Sequence, residues 1–94
     1  MPTVLIRHRI ASFAAWKAVF DGHAISRRAN GSRGGLLFHA AGDPNDVLVL
    51  LGWDDLDRAR LFLDSDDLRE ALTRAGVVGE PEVWFLEDVD RPTA

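Results

Sequence analysis

Ninety-four residues allow one domain with a modest core, so residues 1–94 read as a single unit, ordered from about 3 to 87 with a polar tail over 88–94. Hydrophobic residues at 47% and charged residues at 28% exclude a disordered chain, and the absence of cysteine excludes disulfides, thiolate metal sites and a cysteine nucleophile. Eleven basic against fifteen acidic side chains give a net charge of -4, the wrong sign for a general nucleic-acid or anionic-membrane binder.

Thr3 to Ile10 is rich in β-branched and apolar residues and reads as a first strand, with Val4, Ile6, His8 and Ile10 on one face. Ser12 is a good N-cap, and Phe13, Trp16, Phe20 and Ala24 recur at helical spacing behind it. One amphipathic helix is expected to about Ala29, where Arg27 and Arg28 suit the negative end of the helix dipole and Asn30-Gly31 supplies a stop. A second strand follows over about Gly35 to Ala41. The turn formers Gly42 to Asp46 then lead into a third strand from Val47 to Asp54. Asp54 or Asp55 can cap a helix from Leu56 to about Leu63, and the Asp64-Ser65-Asp66-Asp67 cluster breaks it and re-caps helical turns from Leu68 to Ala75. Gly76 to Pro81 is expected as a loop, Glu82 to Glu87 as the last strand, and Asp88 to Ala94 as a fraying tail.

This βαββαβ order is the split βαβ, ferredoxin-like pattern: an α+β fold with a four-stranded antiparallel sheet and helices on one face. The third strand is apolar on both sides, with Val47, Val49, Leu51 and Trp53 on one and Leu48, Leu50 and Gly52 on the other. Two helices cover only one face of such a sheet. A second copy packed sheet to sheet is therefore the expected cover for the other, making the protein a homodimer. The longest uncharged apolar run, Val47 to Trp53, is far too short to span a membrane, and the chain is read as soluble and cytoplasmic.

The element order, together with Trp16-Lys17-Ala18-Val19-Phe20-Asp21, Gly31-Ser32-Arg33-Gly34-Gly35, Asp43-Pro44-Asn45 and Trp53-Asp54-Asp55-Leu56, resembles the dimeric α+β-barrel proteins grouped with antibiotic-biosynthesis monooxygenases. The resemblance spans about residues 3 to 87. It implies a cavity between sheet and helices in each subunit and, by reaction class, cofactor-independent oxygenation of an aromatic or enolic compound. Polyketide cyclases and isomerases are neighbours in the same superfamily. The Asn, Trp and Arg constellation of the quinone-forming members, often with a Tyr nearby, is only partly matched: there is no Tyr, and Asn30 and Asn45 fall in predicted turns. The haem-degrading branch pairs an Asn on the first strand with a His on the second helix. Here the strand carries His8, and no histidine follows His39.

His23 lies on or beside the buried helical stripe and His8 shares a strand face with Val4 and Ile6, so the two can meet in one cavity and serve as acid-base catalysts. The alternative for either is a histidine satisfied by backbone or water. Trp16, Phe20, Arg27, Phe38 and Trp53 are the candidate substrate-binding residues, since indole and phenyl walls suit a flat ligand and a guanidinium can clamp a carboxylate or phenolate. Arg7 and Arg9 point away from His8 and are expected to pair with acids across the dimer interface. The three histidines show no metal-ligand spacing, so no metal is expected, and the family resemblance implies that no cofactor is needed. Asp54, Asp55 and Asp57 read as helix caps, and the glycine-rich stretch follows a helix rather than preceding one, which makes it a connector and not a phosphate loop. A non-catalytic ligand-binding or stress-related dimer would share all these features.

Overall fold

The computed structural model describes residues 1–94. The chain runs β1 (Thr3–Ile10), α1 (Phe13–Gly22), α2 (Ala24–Ala29), β2 (Ser32–Ala40), β3 (Asp43–Trp53), α3 (Leu56–Leu63), α4 (Asp66–Arg74) and β4 (Val77–Leu86). The strands form one antiparallel sheet in the order β2-β3-β1-β4. This is the expected ferredoxin-like α+β fold. The helices cover one face, and the core between them and the sheet holds Val4, Ile10, Trp16, Val47, Val49, Leu51, Trp53 and Phe62.

The helix starts follow local chemistry. Ser12 Oγ accepts from the Ala15 N–H at 3.4 Å, Asp55 Oδ1 from Arg58 N–H at 2.8 Å, and Ser65 Oγ from Leu68 N–H at 3.1 Å. Asp66 and Asp67 then occupy the first turn of α4, where carboxylates oppose the positive end of the dipole. The single first helix expected from the spacing is two helices instead. His23 ends α1 and begins α2, so Phe13, Trp16 and Phe20 of the expected stripe lie in α1 and Ala24 opens α2.

Three strands, β2, β3 and β4, are longer than their sequences suggest. β2 begins at Ser32, which pairs with Trp53, and the register shifts before Gly35. A side chain at Gly35 would overlap the Leu50 carbonyl, so this close approach of β2 to β3 requires glycine. β4 begins at Val77 rather than Glu82, replacing most of the expected 76–81 loop with strand. Val77 and Val78 pair with Ile10 and Arg9, then the register jumps, and Glu82 pairs with Arg7. Gly79 (φ 76°) supplies the left-handed step of this bulge. Pro81 is tolerated because β4 is an edge strand, where a missing N–H costs no ladder bond.

Register fixes what each face carries. Val4, Ile6 and His8 on β1 pair with Leu51, Val49 and Val47 on β3, all toward the helices. On the other face Trp84, Leu5, Leu50 and Leu36 form an apolar row across all four strands, with Glu82, Arg7, Leu48 and Phe38 beside it. Leu36 is 58% exposed and Phe38 51% exposed, so in the single chain this apolar face is open. Arg7 and Arg9 do not await acids across an interface. Arg7 makes a bidentate pair with Asp46 at 2.7 and 3.0 Å and Arg9 reaches Asp43 at 3.1 Å, both within the chain, because β3 starts four residues earlier than expected and carries both carboxylates beside β1.

Candidate functional site

A cavity of about 650 Å³ lies between the sheet and the helices. β1 contributes His8, the broken first helix contributes Trp16, Phe20, His23 and Arg27, β3 contributes Trp53, and α3 adds Phe62. Six of the seven residues chosen from sequence therefore converge on one space. Phe38 does not. It pairs with Leu48 on the open sheet face, because in β2 the residues facing the helices are Gly35, Leu37 and His39.

The walls are aromatic. The Trp16 ring stacks on Phe20 with centroids 4.8 Å apart, and His8 tilts against Trp16 at 5.6 Å. On the other side Phe62 lies 5.4 Å from Trp53 and 5.7 Å from His23. The Arg27 guanidinium caps the Phe20 ring at 3.8 Å and donates to the Phe20 carbonyl at 2.7 Å, a fold-back allowed by the break at His23. His39 lies outside this set, packed edge-on against Phe13 and exposed.

The two histidines differ in chemistry. His8 is 6% exposed and neither of its ring nitrogens has a hydrogen-bond partner; the Trp53 indole N–H is likewise buried and unpaired. Burial without a charge partner pushes the His8 pKa below its ordinary value and favours the neutral ring. His23 instead meets a carboxylate: its Nε2 lies 2.8 Å from Asp67 Oδ2. Asp67 also accepts from the Ser26 hydroxyl, and these two hydrogen bonds, Ser26 first, hold its carboxyl below the usual carboxylate range. An ionised Asp67 can only accept, so Nε2 carries a proton; in the neutral ring Nδ1 then holds the lone pair, and no protein group is bound to it.

Asp67 and Ser26 were not singled out from sequence. Asp67 sits in an acidic cluster whose helix-capping role accounts for it locally, and its contact with His23 spans 44 positions. Arg27 is half-buried, and desolvation lowers its pKa against the weaker opposing pull of Asp21. No three His, Asp or Glu side chains gather closely enough to hold a metal ion. No helix is long and apolar enough to cross a membrane.

The four-stranded antiparallel sheet with its helices packed on one face is the ferredoxin-like α+β fold of the antibiotic biosynthesis monooxygenase structures. SnoaB, a cofactor-independent oxygenase from Streptomyces nogalater, superposes in variant form with a TM-score of 0.75 at 19% identity, over 96% of this chain and 94% of that one. A proposed antibiotic biosynthesis monooxygenase from Bordetella bronchiseptica gives 0.77 at 18% identity, covering 94% and 96% of the two chains. Another from Caulobacter crescentus gives 0.73 at 20% identity, over 95% and 90%. No protein-family profile and no curated protein matches the sequence.

Proposed function

We propose that this protein binds a flat aromatic or enolic molecule in the cavity and oxidises it with dioxygen without a cofactor, as a homodimer joined through the open sheet face. The observation that carries the reading is the meeting of His8 and the Asp67-held His23 in a cavity walled by Trp16, Phe20, Trp53 and Phe62. The likeness in fold to SnoaB supports the reaction class.

The chemistry asked of the chain is limited. An enolisable ring carbon must lose a proton, and the free Nδ1 of His23 is the acceptor, with Asp67 stabilising the imidazolium that forms. The resulting enolate is electron-rich enough to react with dioxygen directly. In the net change one oxygen atom enters the ring carbon as a ketone and the other leaves as water. The unpaired nitrogens of His8 and the unpaired indole N–H of Trp53 are suited to hydrogen bonds with the ligand's oxygen atoms. Apolar walls keep water from the enolate.

Anthrone, a tricyclic enolisable ketone, is the probe. The purified protein should accelerate its conversion to anthraquinone, one dioxygen being consumed per product, and His23→Ala should abolish the acceleration. A rate equal to that in buffer with anthrone bound and recovered unchanged would replace the enzyme by a non-catalytic binding protein.

A further inference from the structure

We propose that the molecule this cavity takes carries a carboxylate, held outside the aromatic walls by Arg27 and Arg28. The inference rests on the preceding reading of the cavity and adds the charge of its ligand.

A second hollow of about 380 Å³ adjoins the cavity and shares Phe20, Arg27 and Leu51 with it. Its basic residues are Lys17, Arg27, Arg28 and Arg33, against a single acid, Asp21. Four cations to one anion is a strong local excess in a chain whose net charge is -4. Two of the four are already neutralised: Lys17 binds Asp21 at 2.6 Å and Arg33 binds Asp54 at 2.7 Å. Arg27 and Arg28 are not.

That pair stands out against the rest of the molecule. Seven of the ten arginines lie within 4.0 Å of a carboxylate. Of the other three, Arg91 lies in the exposed tail, and Arg27 and Arg28 face the same hollow. Arg27 is also the one that loses water, being half-buried against Phe20 with a single N–H spent on the Phe20 carbonyl. A guanidinium has five donors, and burying one without a counter-ion is unfavourable unless an anion completes it. Because Arg27 borders both spaces, a ligand whose ring lies along Phe20 and Trp16 puts a terminal anion on Arg27.

A carboxylate is the anion that fits: its planar edge matches one guanidinium edge, and its single charge balances the one half-buried guanidinium, Arg27, that lacks a counter-ion.

The probes are 2-naphthoate and its neutral analogue 2-naphthamide, titrated into ¹⁵N-labelled protein while the three indole N–H signals are followed. Trp16 and Trp53 line the cavity and Trp84 lies on the opposite sheet face, so only the first two should shift. Naphthoate should bind about tenfold more tightly than the amide, the range of one charge-assisted contact. The preference should vanish in Arg27→Gln while binding of the amide persists. Arg28→Gln, at an exposed position, and added salt should each reduce it, which keeps the test available should Arg27→Gln not fold. Equal binding of the two probes, or a preference that survives both Arg28→Gln and salt, overturns the anion site and leaves the cavity standing. If neither probe moves Trp16 or Trp53, the cavity reading falls and the anion site with it.

Discussion

Replacing His8 by Leu should make the protein more stable and less able to act on its ligand. The side chains are similar in volume, and Leu suits an interior strand position facing Trp16. His8 now buries two ring nitrogens without partners, and each buried polar atom left unpaired costs about 1–3 kcal/mol. Against that gain stand the lost ring contact with Trp16, worth about 0.5–1.5 kcal/mol, and some repacking strain. A net gain of about 1 kcal/mol is expected, which in a domain this size raises Tm by about 4–8 °C. The pH dependence gives a second reading. His8 has its folded-state pKa lowered by burial, so below the ordinary histidine range the unfolded chain binds the proton more readily and stability falls as pH drops. Urea unfolding, followed by tryptophan fluorescence at fixed protein concentration at about pH 7.5 and about pH 5.5, should show a smaller acid loss for the Leu variant than for the wild type. A variant less stable by more than about 1 kcal/mol at the higher pH, or one with the wild-type acid loss, would refute the claim that His8 is held neutral and unsatisfied.

Other consequences are as direct. Asp67→Asn, at an exposed position, should leave the fold intact and reduce kcat on anthrone about 100-fold, with partial recovery in Asp67→Glu; an unchanged kcat would remove Asp67 from the orientation of His23. Leu50→Asp, in the middle of the open apolar row, should weaken self-association at least about 100-fold in sedimentation velocity, whereas a wild type that is already monomeric at micromolar concentration would end the sheet-to-sheet dimer. Phe38→Ser should weaken the dimer in the same assay while leaving anthrone binding unaltered, since Phe38 faces away from the cavity. Ser65→Ala should cost about 1 kcal/mol in urea unfolding through loss of the α4 cap.

Where the sequence carried a local signal, the fold could be read from it. Ser12, Asp55 and Ser65 each cap the helix that follows, as the spacing of oxygen-bearing residues before apolar runs implies. The split of the second helical segment was visible because an acidic cluster interrupts it. The split of the first was not, since His23 has no helix-breaking character and Gly22 alone is a weak signal. β4 hid behind Gly79 and Pro81, which elsewhere mean a loop. Their tolerance here depends on strand order, a property of the whole sheet.

The same distinction explains the site. His8, Trp16 and Phe20 were legible because each stands in a run with a single apolar period, so the facing side follows from its neighbours; Trp53 closes a strand that is apolar on both sides, and pairing with β1 sets its face. Leu36, Leu37 and Phe38 are apolar in succession, alternation supplies no phase, and the register shift before Gly35 decides which of them faces the helices. Asp67 was illegible for a different reason: its local role as a first-turn carboxylate is real, and its second role comes from the packing of α4 beside the α1–α2 junction. That junction also does the most to define the site. At His23 the chain turns, Arg27 folds back onto Phe20, and the imidazole is presented to Asp67, so one break in a helix sets the proposed proton acceptor, a cavity wall and the unpaired cation at its edge. A continuous helix with the same residues would keep Trp16, Phe20, His23 and Arg27 on one face by their spacing, but it would engage the Phe20 carbonyl in the helix ladder and take from Arg27 the bond that now folds it back.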